Sequence, residues 1–152
     1  MNIKIDVDLG AEGGRLGGML KRAKLVKGWL NRFAYPTVIA KQRLRWQSEG
    51  ASEGSGWAPL NPKYARRKLT MFRDAPGGGR KILIATGKLV DSVTGDNTES
   101  HYKLVTDNRL ETGTIVKYAG WVNEKRDFVT LSADTVQELK DSLLDYLQSG
   151  KE

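Results

Sequence analysis

His101 is the single histidine of the chain. Imidazole chemistry would have to pass through it, yet it lies in an alternating stretch beside Tyr102, where a packed or solvent-facing ring is expected. A serine nucleophile of the hydrolase kind needs a Gly-x-Ser-x-Gly elbow between a strand and a helix. The spacing occurs at Gly50-Ala51-Ser52-Glu53-Gly54, but that stretch, like Gly54-Ser55-Gly56, lies in a Gly/Ser-rich loop without the flanking strand and helix. A phosphate loop needs Gly-x4-Gly-Lys-Ser/Thr; at Gly87-Lys88 the fifth residue upstream is Ile82 and the next is Leu89, so the pattern fails. Gly10, Gly13, Gly14, Gly17 and Gly18 do not make a Gly-x-Gly-x-x-Gly fingerprint. Asp6 and Asp8 share the polar side of an alternating segment, but two carboxylates with no third ligand nearby are more often solubilising than metal-binding. Glu111 and Glu124 have no visible partner. Cysteine is absent, which excludes disulfides, thiolate zinc sites and cysteine nucleophiles and fits a reducing cytoplasm. The expectation is a non-enzymatic protein with no catalytic, cofactor or metal site.

Charge is the second chemical signal. The net charge is +7, but from Gly13 to Lys81 there are 16 basic and 3 acidic residues, and none is acidic between Gly13 and Ser48. Residues 82–152 carry 8 basic against 12 acidic residues. A one-signed field favours nucleic acid or an acidic protein face; a solvated helix face is the plain alternative. Hydrophobic content of 39% and charged content of 28% describe a globular chain long enough for one cored domain, 1–152. No apolar run approaches a membrane span, no membrane contact is expected, and no leader-like apolar segment opens the chain.

The elements that must carry these charges follow from periodicity. Residues 2–9 alternate, with Ile3, Ile5, Val7 and Leu9 on one side, and predict a half-buried strand. Leu16, Leu20, Ala23, Leu30, Phe33 and Leu44 recur at helical spacing and predict a long helix over about 16–48. Pro36 inside it predicts a kink, or two helices over 16–34 and 37–48. Trp29, Tyr35 and Trp46 lie among its cations, where base stacking competes with the commoner core or subunit role. Residues 49–60 and 73–81, rich in Gly, Ser and Pro, are expected to be mobile loops. Between them Asn61 and Pro62 start a short helix, with Lys63, Arg66, Arg67 and Lys68 outward and Tyr64, Ala65, Leu69 and Phe72 inward. Ile82–Ala85 reads as strand-like, and Thr86 as the cap of a helix to about Val93. His101–Thr106, an Asp107-Asn108 turn and a strand from Arg109 to Val116 read as a hairpin. Phe128–Leu131 reads as a last short strand. Asp134 and Gln137 open a C-terminal helix to about Gln148, with Val136, Leu139, Leu143, Tyr146 and Leu147 as its stripe. The fold class is α+β: an antiparallel sheet of about four strands packed by a long N-terminal helix and the C-terminal helix.

One stretch carries a family signature. Trp57-Ala58-Pro59-Leu60 is followed by the basic run Lys63–Lys68, then by Leu83-x-x-Thr86-Gly87-x-Leu89-x-x-Ser92, then by Thr112-Gly113-Thr114 and Tyr118-Ala119. In this order the chain resembles the tail-completion (virion morphogenesis) proteins of tailed phages and related head–tail joining proteins. It departs from them where Trp121-Val122-Asn123 replaces a usual His region and Lys125-Arg126-Asp127-Phe128 stands for Arg-Pro-Phe.

The resemblance implies a structural virion protein that completes the tail or neck and enables head–tail joining within an oligomeric ring, a hexamer in the family. It implies a virion location, with host cytoplasm during assembly. The implied partners are further copies of the chain, the tail tube or tail terminator, the head–tail connector, and genomic DNA by non-specific contact. Candidate partner-binding residues are Trp57, Pro59, Leu60, Arg66, Arg67, Lys68, Arg80, Lys81 and Trp121. The alternative function is a basic nucleic-acid-binding module. The acidic C-terminal helix, set against the basic first helix, suggests a head-to-tail contact.

Overall fold

The computed structural model describes residues 1–6 and 26–149. The expected positions Val7, Asp8, Leu9, Leu16, Leu20 and Ala23, and the glycines from Gly10 to Gly18, lie outside the described residues. The fold is α+β with an antiparallel sheet. Strands β1 (Asn2–Asp6), β2 (His101–Val105) and β3 (Arg109–Thr114) lie in the order β1-β3-β2, with β3 pairing antiparallel to both. Among the described residues the sheet has these three strands. The expected strand at Phe128–Leu131 is irregular backbone, and so is Ile82–Ala85.

Period two explains the sheet. Along β3, Leu110, Thr112 and Thr114 are buried, and Ile3 of β1 sits opposite Thr112 in the register. That face receives two helical layers. Val26, Trp29, Leu30, Ala34 and Val38 come from the first, and Leu139, Tyr146 and Leu147 from the last; with Ile3 and Leu110 they form one core cluster.

The first helix runs as α1 (Val26–Trp29), a π turn (Leu30–Ala34) and α2 (Tyr35–Gln47). It is neither split nor ended at Pro36. The amide of Tyr35 reaches back five residues to the Leu30 carbonyl. This widened turn gives the proline ring room at the carbonyl four residues back, which a regular turn would not. Two of the expected core positions are exposed instead, Phe33 by 37% and Leu44 by 51%, because the buried positions Leu30, Ala34, Val38, Gln42 and Trp46 fall four apart.

A second cluster gathers Trp46, Leu89, Val93, Ala119 and Phe128. It joins α2 to α4 (Lys88–Thr94) and α5 (Ala119–Lys125), a helix where the sequence suggested only a Tyr-Ala turn. The cap of α4 is Gly87 rather than Thr86. Phe128 is fully buried, with its ring 5.6 Å from Trp46, so it is held by packing and not by the expected strand pairing. Such burial stabilises by about 1.5–3 kcal/mol. The last helix, α6 (Ala133–Ser149), starts from Ser132, whose hydroxyl accepts from the Thr135 amide at 3.2 Å. The expected capping pair is not used: Gln137 donates forward to Asp141 at 2.8 Å. Val136, expected in the core stripe, is 37% exposed. No helix among the described residues is long and apolar enough to cross a membrane.

Candidate functional site

The polar residues that invite a catalytic reading are used to fasten the fold. The ring of His101 donates from Nδ1 to the carbonyl of Ser92 at 2.7 Å, leaving Nε2 to accept from the Tyr35 hydroxyl at 3.1 Å. The hydroxyl of Ser92 points elsewhere, to the Leu89 carbonyl and to Thr114 Oγ1, each at 2.7 Å. The imidazole therefore meets the serine backbone, not its nucleophile, and general-base geometry is not formed. Asp6 pairs with Lys4 at 3.1 Å and Arg109 at 3.5 Å. Among the described residues no three His, Cys, Asp or Glu side chains gather as a metal site would require.

A concavity lies elsewhere. A groove of about 650 Å³ opens between α3 (Pro62–Met71), the 83–89 segment and α5. Its floor is aliphatic, from Leu60, Leu83, Ala85, Leu89 and Val122. Its walls are Tyr64, Tyr118 and Trp121, exposed by 48%, 48% and 63%. Lys68, Lys88, Lys125 and Arg126 supply the charge, and among the described residues no carboxylate lines it.

Each wall has a local cause. Asn61 accepts from the Lys63 amide at 3.0 Å and Pro62 takes the first helical position, so α3 starts where the sequence places it. Its inner face differs from expectation. Lys68 is 2% exposed, whereas Tyr64 and Leu69 face outward at 48% and 40%. The reason is the Gly-rich turn, which folds back over the helix. A Cβ at Gly79, where φ is +70°, would stand 2.6 Å from the Lys68 carbonyl oxygen. The returning chain brings the Lys81 carbonyl to the Lys68 ammonium, which donates to it. Burial pushes the pKa of Lys68 down; Arg126 adds to the shift and Glu49 opposes it. Leu83 holds a φ of 62°, a region that bulky residues rarely enter, and its side chain packs on the second core.

The opposite wall is clipped to the Trp-x-Pro-Leu turn. Arg126 donates from Nε to the Ala58 carbonyl at 3.1 Å and from Nη2 to the Pro59 carbonyl at 3.3 Å. Trp57 donates to the Asp127 carbonyl at 2.8 Å and packs edge-on to Trp46 with centroids 5.1 Å apart. Arg45, almost fully buried, donates to the carbonyls of Thr130 and Asp127 and so holds the same loop. Lys125 sits 5.0 Å from the centroid of the Trp121 ring, a cation–π contact across one helical turn. The 49–60 segment is fastened elsewhere too: Glu49 accepts from the Ile82 amide at 2.7 Å, and Trp57 donates its amide to the Glu49 carbonyl at 2.7 Å.

Of the sequence-nominated residues, Leu60, Lys68 and Trp121 meet in this groove. Trp57 packs behind it in the second core, and the carbonyl of exposed Pro59 is held by Arg126. Arg66, Arg67 and Arg80 are exposed and do not line it. Lys81 turns away and donates to the Gln47 carbonyl at 3.1 Å. Tyr64, Lys88, Tyr118, Lys125 and Arg126 were not singled out. A signal for part of this set exists: Tyr118, Trp121 and Lys125 stand three and four apart, on one helical face.

Set against family models, curated proteins and solved structures, the chain finds no match. The tail-completion resemblance is carried by its motifs alone.

Proposed function

We propose that this chain is a structural virion assembly protein of the tail-completion kind, which completes a phage tail or neck and enables head–tail joining as a member of an oligomeric ring. One observation supports the reading above the rest. Leu60 of the Trp-x-Pro-Leu turn, Lys68 of the basic helix, Leu83, Thr86, Gly87 and Leu89 of the Leu-x-x-Thr-Gly-x-Leu motif, and Tyr118 of the Tyr-Ala motif come from distant parts of the chain and line one groove. Motifs that only build a core would not share an open, aromatic-walled surface; exposed apolar patches of this kind mark binding sites. Its partners in this reading are other copies of the chain, the tail tube or terminator and the head–tail connector, with a virion location after assembly in host cytoplasm.

The test is genetic and biochemical together. Deleting the gene from the phage or prophage that encodes it should leave filled heads and unattached tails, and the chain should be found by mass spectrometry in purified wild-type particles. Normal particles after deletion would refute the reading.

A second reading has its own support: Tyr64, Tyr118 and Trp121 beside Lys88 and Lys125 could stack and clasp a single-stranded nucleic acid. That reading requires salt-dependent retention on DNA with loss of binding in Lys88→Glu/Lys125→Glu.

A further inference from the structure

We infer that the groove receives the outer face of α6 from a second copy of this chain, in a head-to-tail contact. This rests on the assembly reading and names the surfaces that assembly would use.

The two surfaces are complementary in charge. Among the described residues the groove is lined by four cations and no carboxylate; Lys88 and Lys125 are exposed, whereas Lys68 is buried on the Lys81 carbonyl and Arg126 is held by the Ala58 and Pro59 carbonyls. On α6, Asp134, Glu138, Asp141 and Asp145 follow one another at spacings of four, three and four. At 100° per residue they fall within an arc of roughly 60°; Glu138 of this set pairs with Lys41 of its own chain at 2.8 Å. Lys140, the cation of that helix, lies off the arc. Leu144, 51% exposed, lies about 60° from Asp141, between the carboxylate arc and Lys140. An exposed apolar side chain with carboxylates along one side of it matches an aliphatic floor beside the Lys88 and Lys125 ammonium groups.

The surfaces are also separate. The α6 side chains Leu139, Tyr146 and Leu147 belong to the first core cluster, whereas Leu89 of the groove floor belongs to the second. One copy can therefore offer its groove and its helix at once, which is what a heterologous contact needs. A nucleic acid would satisfy the cations, but it offers no aliphatic group for Leu60, Leu83, Leu89 and Val122.

The experiment uses the full chain and two variants at exposed positions, with circular dichroism confirming that both stay folded. Lys88→Glu/Lys125→Glu breaks the groove, and Leu144→Glu breaks the helix face without complementing the altered groove. Sedimentation equilibrium should show wild-type self-association that weakens at least about tenfold in either variant, a change of about 1.4 kcal/mol. Mixed together, the two variants should form a one-to-one heterodimer and stop there, because each retains one working face. Wild-type association should weaken with salt.

A wild type that stays monomeric at roughly 100 μM, variants that associate as well as the wild type, or a mixture that stays monomeric would overturn the inference. A monomeric wild type that still restores head–tail joining would leave the assembly function standing while removing this contact. Retention on an oligonucleotide, lost in the lysine variant and kept in Leu144→Glu by a monomeric wild type, would assign the groove to nucleic acid instead.

Discussion

Glu53 and Thr135 are joined side chain to side chain across 82 residues of sequence, the hydroxyl donating to the carboxylate at 2.9 Å. The same carboxylate accepts the Ser132 amide at 2.8 Å, so it caps the start of α6 from outside the helix. Glu53→Ala strips a buried acceptor from two donors. We expect a loss of about 1–3 kcal/mol in urea denaturation and faster hydrogen exchange at the Ser132 amide. Exchange at Ser132 equal to wild type would show that this link does not hold the helix start.

Gln42 is 1% exposed, and neither its amide nitrogen nor its amide oxygen has a partner. Its neighbours around a cleft of about 10 Å³ include Ile3, Val38 and Val93. Gln42→Met removes two unsatisfied polar atoms at similar volume and should raise stability by about 1–2 kcal/mol. A fall in the denaturation midpoint would mean that the amide is satisfied by water in solution.

Gly113 faces Asn2 across the β1–β3 ladder, and a Cβ there would stand 2.4 Å from the Met1 carbonyl oxygen. The obstacle is backbone, which cannot swing aside. Gly113→Ala should cost at least about 2 kcal/mol and expose the amides that join β1 to β3, while the β2–β3 hairpin keeps its protection. Uniform loss of protection would show that β1 is integral to the hairpin itself.

Stability should change at both ends of the pH scale, for opposite reasons. Burial raises the pKa of Asp127, but the amides of Thr130 and Val129, with Arg45 nearby, outweigh it and hold the carboxyl below its ordinary value. Its contribution is present above the unfolded carboxyl pKa and is lost as pH falls through the folded one. Asp127→Asn should therefore flatten the acid limb of a stability–pH curve. The ammonium of Lys68 is depressed, so between its folded value and the ordinary lysine range the unfolded chain binds more protons. Stability rises with pH across that window, and Lys68→Met should abolish the rise. An alkaline limb that survives in Lys68→Met would assign it to another group.

What the sequence disclosed, and what it hid, divides by range of interaction. The Asn61-Pro62 start of α3, the alternation of β1 and the hairpin around Asp107-Asn108 are local, and each appears where the residues put it. Lys68 reads as a surface charge because nothing near it in sequence reveals that the 77–81 turn folds over it. Phe128 looked like a strand residue because apolar runs do not say whether burial is by pairing or by packing. Leu60, Lys68 and Trp121 were named as binding residues, but their common groove depends on Arg126 reaching the Ala58 and Pro59 carbonyls. That reach of 67 to 68 residues has no sequence period.

The four-residue step of the buried positions along the first helix has a mechanical consequence. In α geometry it runs past a full turn by about 40° each time, so from Ala34 to Trp46 the buried side swings from the sheet cluster to the tryptophan cluster. One rod is thus keyed into both halves of the molecule at different angles, like a shaft cut with two keyways. Neither half can melt without freeing the rod from the other. The chain should unfold in a single cooperative transition, and load placed on the groove would reach the sheet as torque rather than be absorbed at a hinge.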